Sequence, residues 1–249
     1  MLRPLRRQKP GSAGDVSLTA EGDRVAVVGR GIALLDRRNG QRLWTTRGLG
    51  AFTTPALITA DRVLAGTRDG KLHCLDARTG RVLWSQLVGA PLLAAPVTDG
   101  EGRVYIGAGD GKALALRMSN GKRLWQWTIG AETAFGAVCY KDLVAFAPHT
   151  AVVMVFERSS GFLRWRFPFQ TRPLAPPMLL GDTLFAIGYG SYENHMTVLA
   201  ADLRSGRRLG LIGVDVEPDS PPIVTPGRIL VAARTRVVVA FDLAKPEAS

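Results

Sequence analysis

Residues 72–84 read LHCLDARTGRVLW, an apolar run that ends at Asp76, a polar turn closed by Gly80, and a second apolar run that contains Trp84. The same phrase recurs along the chain at intervals of about 40 residues. Its copies are ALLDRRNGQRLW ending at Trp44, ALRMSNGKRLW ending at Trp125, VFERSSGFLRW ending at Trp165, AADLRSGRRLG with Asp202 and Gly206, and a shortened VVVAFD ending at Asp242. A fixed period of this length predicts a stacked or radial repeat architecture.

Each repeat contains four short apolar runs joined by tight turns. In the second repeat, Asp69-Gly70 separates the second run from the third, and this pair favours a type I′ hairpin turn. No segment has a sustained helical period, so the strands are expected to pair antiparallel. The sequence therefore predicts an all-β fold, a β-propeller of about six four-stranded antiparallel blades. A β-sandwich of unrelated strands is the alternative, and the regular phrase disfavours it.

The repeats divide the chain into a propeller at residues 16–243, an N-terminal segment at residues 1–15 and a polar tail at residues 244–249. The sixth repeat lacks a fourth strand. Leu2–Arg6 resembles an outermost strand, so we predict that Met1–Gln8 completes the sixth blade, where a proline is tolerated at a sheet edge. The alternative is that these repeats are the C-terminal part of a longer ring.

The phrase DARTGRVLW, with a small or apolar residue two positions before the aspartate, resembles the repeat of the pyrroloquinoline-quinone-type (PQQ-like) propeller family. It is also similar to the BamB-like group, named after an outer-membrane assembly lipoprotein. The resemblance implies that the repeated tryptophans pack between adjacent blades. It is specific for fold and says little about function, because propellers serve many unrelated tasks.

Composition and charge narrow the class of protein. The chain has 249 residues, 46% of them hydrophobic, and no apolar run long enough to span a membrane as a helix. Met1–Gly14 is basic but lacks the apolar segment of a signal peptide, so the chain as written is expected in the cytoplasm, or in the periplasm if it begins inside a longer protein. Cys74 and Cys139 fall in repeats that are not neighbours and are expected to be unpaired.

The catalytic signals are weak. Quinone-dependent dehydrogenases of the resembling family carry adjacent cysteines and acidic calcium ligands, and this chain has neither pattern. His73, His149 and His195 lie in three different repeats without the spacing of a metal site. We therefore expect no enzyme activity, no cofactor and no metal. A fragment of a quinone-dependent dehydrogenase or of a propeller-bearing sensor protein remains the alternative.

The net charge of +11 comes mostly from arginine, which pairs well with carboxylates and phosphates. The turns between the second and third strands should share one face with the links between blades, and one of these turns, at residues 188–196, is unusually long. Partner-binding candidates on this face are Arg68, Tyr189, Tyr192, Glu193, His195, Arg234 and Arg236, and Arg30, Asp69, Asp110 and His149 lie in the same turns. The opposite face is expected to carry Arg37, Arg38, Arg78, Arg158 and Arg204. A protein partner is favoured over nucleic acid or another polyanion, because the tryptophans are committed to packing and cannot stack on bases.

Overall fold

The computed structural model describes residues 16–130, 132–133, 135–169, 172–189, 196–220, 222–225, 227–233 and 237–242. Every regular element in these ranges is a β-strand, 23 in all. The chain forms two compact units, Met1–Gly136 and Ala137–Ser249. The all-β prediction is confirmed.

Unit 1 contains three four-stranded antiparallel sheets in which neighbours in sequence are neighbours in the sheet. Blade 1 comprises β1 (Ser17–Glu21), β2 (Arg24–Val28), β3 (Ile32–Asp36) and β4 (Arg42–Thr46). Blade 2 comprises β5 (Leu57–Ile58), β6 (Arg62–Gly66), β7 (Lys71–Asp76) and β8 (Val82–Leu87). Blade 3 comprises β9 (Val97–Thr98), β10 (Arg103–Gly107), β11 (Lys112–Arg117) and β12 (Arg123–Thr128).

Unit 2 repeats this plan. Blade 4 comprises β13 (Val138–Tyr140), β14 (Leu143–Phe146), β15 (Val152–Glu157) and β16 (Leu163–Pro168). Blade 5 comprises β17 (Met178–Leu180), β18 (Thr183–Tyr189), β19 (Met196–Asp202) and β20 (Arg208–Val214), and blade 6 comprises β21 (Ile223–Thr225), β22 (Arg228–Ala232) and β23 (Val238–Asp242). Among the described residues blade 6 has three strands, as the sequence predicts. Met1–Gln8 lies outside the described residues, so its role as a closing strand stays a prediction.

The inner strands of blade 2 are covered on both faces. Val63 and Ala65 of β6 pack in a cluster with blade 1, whereas Leu64 packs in a second cluster with blade 3. A strand buried on both faces has no polar side to alternate with, which explains its continuous apolar run. Cys74, on the blade 3 side, is free, and burial raises the pKa of its thiol to about 11.

The repeated tryptophans hold neighbouring blades together. The Trp44 indole of blade 1 lies over Gly80 of blade 2 and donates its Nε1–H to the Ala77 carbonyl at 2.9 Å. Gly80 has φ +73°, and a Cβ there would stand 2.6 Å from the indole ring, so both conformation and space require glycine. The Trp84 indole likewise lies over Gly121 and donates to the Met118 carbonyl. The Trp165 indole lies over Gly206 and donates to the Leu203 carbonyl. Trp44, Trp84 and Trp125 are buried and Trp165 is half-buried.

The turn between β6 and β7 is not the type I′ turn that Asp69-Gly70 suggests. Only Gly70 of the pair has a positive φ, +78°. The Thr67 amide donates to the Lys71 carbonyl at 2.9 Å, and the Gly70 amide to the Thr67 carbonyl at 3.1 Å. These bonds enclose a three-residue loop, a type I turn followed by a left-handed residue. Blade 4 makes the corresponding turn with Ala151 at φ +58°.

In blades 1, 2 and 5 the aspartate of the repeated phrase caps the turn that follows it. In blade 2 the Asp76 carboxylate accepts hydrogen bonds from the Arg78 amide at 3.0 Å and the Thr79 amide at 2.7 Å. Hydrogen bonds from Thr79, first from its hydroxyl and then from its amide, hold the pKa of Asp76 below its usual range. Asp36 and Asp202 accept from their own turns in the same way. The acidic residue therefore belongs to the structure of the turn.

Candidate interaction surface

In unit 1 the turns between second and third strands lie on the same side as the links between blades. The Phe52 amide donates to the Gly29 carbonyl at 3.0 Å, and the Arg68 amide to the Ala51 carbonyl at 2.9 Å. The next link is bonded in the same way, because the Gly109 amide donates to the Pro91 carbonyl at 2.9 Å. This side of unit 1, residues 29–31, 47–56, 67–71, 88–96 and 108–112, is called the link surface below.

Three arginines of the link surface surround the link that begins blade 2. Arg30 and Arg68 lie in turns bonded to this link, and the Arg47 side chain lies against Gly31, where an added Cβ would stand 3.3 Å from its Cγ. All three side chains are exposed. Among the described residues their guanidinium groups have neither an ion pair nor a hydrogen bond. Three planar cations are therefore available to a ligand.

The carboxylates of the link surface are occupied by lysines. Asp69 accepts from Lys71 Nζ at 2.8 Å, and Asp110 pairs with Lys112 in the corresponding turn. The hydrogen bonds of Asp69, first from Lys71 and then from Thr67, lower the pKa of its carboxyl. These carboxylates therefore leave the charge of the arginines uncompensated.

Three of the arginines predicted for the opposite side have partners for their guanidinium groups. Arg38 pairs with Asp23, and Arg37 donates to the Gly22 carbonyl at 3.2 Å. In unit 2, Arg204 lies 3.7 Å from the Asp142 carboxylate. Within unit 1, Arg30 and Arg68 lie on the link surface and Arg37 and Arg38 lie in the turn between β3 and β4, and of these only Arg37 and Arg38 have guanidinium partners among the described residues.

Unit 2 assembles a mixed aromatic and basic group at the corresponding turns. Tyr189 ends β18 and is exposed, and its amide donates to the Arg172 carbonyl at 3.0 Å. The Arg172 guanidinium donates in turn to His149 Nδ1 at 3.2 Å. Tyr189 and His149 were expected to share a surface, and Arg172 joins them within unit 2.

Several predicted contact residues fall outside the described part of the chain. These are Tyr192, Glu193, His195, Arg234 and Arg236. The long turn itself follows β18 as predicted, since Tyr189 pairs with Met196 across it. Sequence reasoning missed Arg47 and Arg172, which lie in links rather than hairpin turns. Their position before the first strand of the next blade is the signal that could have identified them.

The described residues contain no group of three or more metal-ligating side chains. One serine–histidine contact exists, between His73 Nδ1 and Ser85 Oγ at 2.7 Å. His73 is buried beside the Phe52 ring, and burial lowers the pKa of its imidazole. No carboxylate is bonded to this imidazole among the described residues, so the pair lacks the third member of a hydrolytic triad.

The family model for outer membrane protein assembly factor BamB matches residues 28–247. The chain belongs to this family. The crystal structure of BamB from Moraxella catarrhalis has a TM-score of 0.75 at 18% identity, over 92% of this chain and 70% of that one. The crystal structure of the computationally designed Ika8 protein has a TM-score of 0.77 at 16% identity, over 92% of this chain and 71% of that one. The crystal structure of the mitotic checkpoint complex has a TM-score of 0.75 at 13% identity, over 92% of this chain and 74% of the matched chain. These likenesses confirm the β-propeller fold.

One curated relative is an enzyme. The 1-butanol dehydrogenase (cytochrome c) of Thauera butanivorans is 37% identical over 59 residues, which are 23% of this chain and 8% of that protein. The chain thus spans a small part of that relative's length. Separately, no helix among the described residues has the length and apolar character needed to cross a membrane.

Proposed function

We propose that this chain is a non-catalytic β-propeller scaffold that binds a protein partner through the link surface of unit 1. Tyr189, Arg172 and His149 of unit 2, called the Tyr189 group below, are a second contact that is tested on its own. Membership of the BamB family supports the proposal, because that family is described as an outer-membrane assembly factor. The partner should present acidic side chains, since the link surface offers cations and holds its own carboxylates in ion pairs.

The observation that carries the proposal is that the guanidinium groups of Arg30, Arg47 and Arg68 have no partner in the described part of the chain. Arginine and tyrosine are enriched in protein interfaces, where they supply planar hydrogen bonding and rigid contact area. Tyr189 provides such an aromatic side chain, 52% exposed, in unit 2. Propellers use loops of this kind for recognition because the sheets hold them rigidly.

The test compares two double variants of equal charge. Arg30→Ala/Arg68→Ala removes two cations of the link surface that have no partner among the described residues, and Arg38→Ala/Arg204→Ala removes two paired cations from turns between third and fourth strands. Partners captured by the wild-type chain, with cross-links mapped by mass spectrometry, should be lost only in the first variant. Binding should also weaken as salt is raised, because exposed charges act through screened attraction. Equal loss in both variants refutes the assignment of the link surface.

Tyr189 has its own test within the same experiment. Tyr189→Ala should reduce partner affinity at an unchanged melting temperature, because the exposed ring contributes little to the core. An identical affinity removes the Tyr189 group from the interface and leaves the arginines alone.

The dehydrogenase match over 59 residues favours a second candidate, a fragment of a quinone-dependent dehydrogenase. The chain would then reduce a dye when supplied with pyrroloquinoline quinone, calcium and 1-butanol. We expect no turnover, because the adjacent cysteines that the resembling enzymes place beneath the quinone are missing from this sequence. Saturable dye reduction would replace the scaffold proposal.

A further inference from the structure

One blade of unit 1 departs from the capping rule. In each blade of unit 1, the first residue of the second strand lies opposite the last residue of the third strand. This pair is Arg24 with Asp36 in blade 1 and Arg62 with Asp76 in blade 2. In blade 3 it is Arg103 with Arg117. Two like charges directly opposite each other are unfavourable, and the capping carboxylate is missing from the same place.

The turn of blade 3 keeps backbone donors that blades 1 and 2 bond to their own aspartates. Ser119 corresponds to Arg78, whose amide is bonded to Asp76. Among the described residues neither the amide nor the hydroxyl of Ser119 has a hydrogen-bond partner, and the Arg117 guanidinium has none either. The Asn120 amide reaches only the Arg117 carbonyl, at 3.4 Å.

Arg103, which lies opposite Arg117, has an anionic partner. Arg103 lies 3.4 Å from the buried carboxylate of Asp99. That carboxylate also accepts from the Glu101 and Arg103 amides, at 2.8 and 3.0 Å. It compensates Arg103, whereas Arg117 has no ion pair among the described residues.

A groove of about 620 Å³ opens at this point, between blades 2 and 3 and away from the link surface. It is lined by residues 59–62, 98, 100–103, 117–119 and 124. The side chains of Arg62, Arg103 and Arg117 line the groove together with the carboxylates of Asp61 and Glu101. Asp61 pairs with Arg62 and Asp99 pairs with Arg103, so Arg117 is the guanidinium group that remains for a ligand. The volume suits a short extended peptide, and the side chains of Met118 and Leu124 add apolar contact.

We propose that this groove binds an acidic peptide segment whose carboxylate occupies the empty capping position of blade 3. The carboxylate accepts hydrogen bonds from the Ser119 and Asn120 amides, as Asp76 does in blade 2, and pairs with the Arg117 guanidinium. Charge-assisted bonds of this type are the strong ones in proteins. The site is separate from the link surface, and neither proposal depends on the other.

The test is a titration of the ¹⁵N-labelled full chain with a capped Gly-Asp-Gly peptide and its Gly-Asn-Gly counterpart, followed by NMR. The aspartate peptide should shift the Ser119 and Asn120 amides saturably, with a dissociation constant on the order of 1 mM. The asparagine peptide should not. An equal response to both peptides, or no response, overturns the proposal, as does stronger binding of inorganic phosphate at matched ionic strength.

Two variants of equal charge identify the position. Arg117→Asp restores the internal cap, so it should weaken peptide binding at least about tenfold while the melting temperature stays the same or rises. Arg81→Asp makes the same charge change beside the occupied cap of blade 2 and should leave binding intact. Arg117→Gln, which keeps the amides and removes the cation, should weaken binding several-fold. Full binding by Arg117→Asp, or equal weakening by Arg81→Asp, refutes the site.

Discussion

Replacing Trp84 with alanine should cost about 3–5 kcal/mol in the free energy of unfolding, the range for removal of a large buried aromatic side chain. The indole is 9% exposed and fills the space over Gly121 between blades 2 and 3. Gly121 has no side chain that could fill the space left by the ring, and its φ of +70° favours glycine there. A domain of ordinary stability, about 5–15 kcal/mol, would lose a large part of it.

A pair of Trp→Phe variants separates ring packing from the indole hydrogen bond. In Trp44→Phe the Ala77 carbonyl loses its indole donor, whereas in Trp84→Phe the Met118 carbonyl keeps the Arg62 guanidinium at 3.2 Å. Trp44→Phe should therefore be the more destabilising variant by about 1 kcal/mol.

Urea unfolding followed by far-ultraviolet circular dichroism measures both effects without relying on tryptophan fluorescence. Trp127→Ala is the control in blade 3, since this ring is 43% exposed, and it should cost less than about 1 kcal/mol. If Trp84→Ala and Trp125→Ala each cost less than about 1 kcal/mol, the blade-packing role of the tryptophans is wrong.

Three further perturbations test other features. Ala151→Gly should raise the melting temperature by up to about 4 °C, because glycine adopts φ +58° without strain. Gly70→Ala should lower the melting temperature, since the new Cβ would stand 2.6 Å from a backbone oxygen. Differential scanning calorimetry measures both changes, and a lower melting temperature for Ala151→Gly contradicts the strain argument. Burial lowers the pKa of His73, so the unfolded chain binds more protons and stability should fall as pH drops below about 6.5. The urea midpoint should depend less on pH in His73→Gln than in the wild-type chain. An equal pH dependence in the two chains contradicts the assignment to His73. Deleting Met1–Gln8 should lower thermal stability and solubility by leaving the edge of β23 open, and unchanged melting and light scattering would favour the alternative of a longer ring.

Sequence alone was sufficient for the repeat, the strand count and the tryptophan position. The repeated phrase specifies these features locally, because an apolar run, a glycine at positive φ and a capping aspartate each act within a few residues of their own position. The blade 2 copy shows this directly, since Asp76 bonds the amides of Arg78 and Thr79. Long-range packing then only has to stack units that already share one shape.

Tertiary structure decided the details that depend on several elements at once. Asp69-Gly70 suits more than one turn, and the pairing of β6 with β7 selected the three-residue loop. The substitution of Arg117 for an acidic residue is visible in RMSNG, but its consequence depends on whether another element supplies a carboxylate. The turn between β9 and β10 supplies Asp99 to Arg103, and the packing of blades 2 and 3 places Arg117 beside an open groove. The reason is physical: sequence spacing sets local hydrogen bonds, whereas the balance of charge at a site is summed over groups that folding brings together.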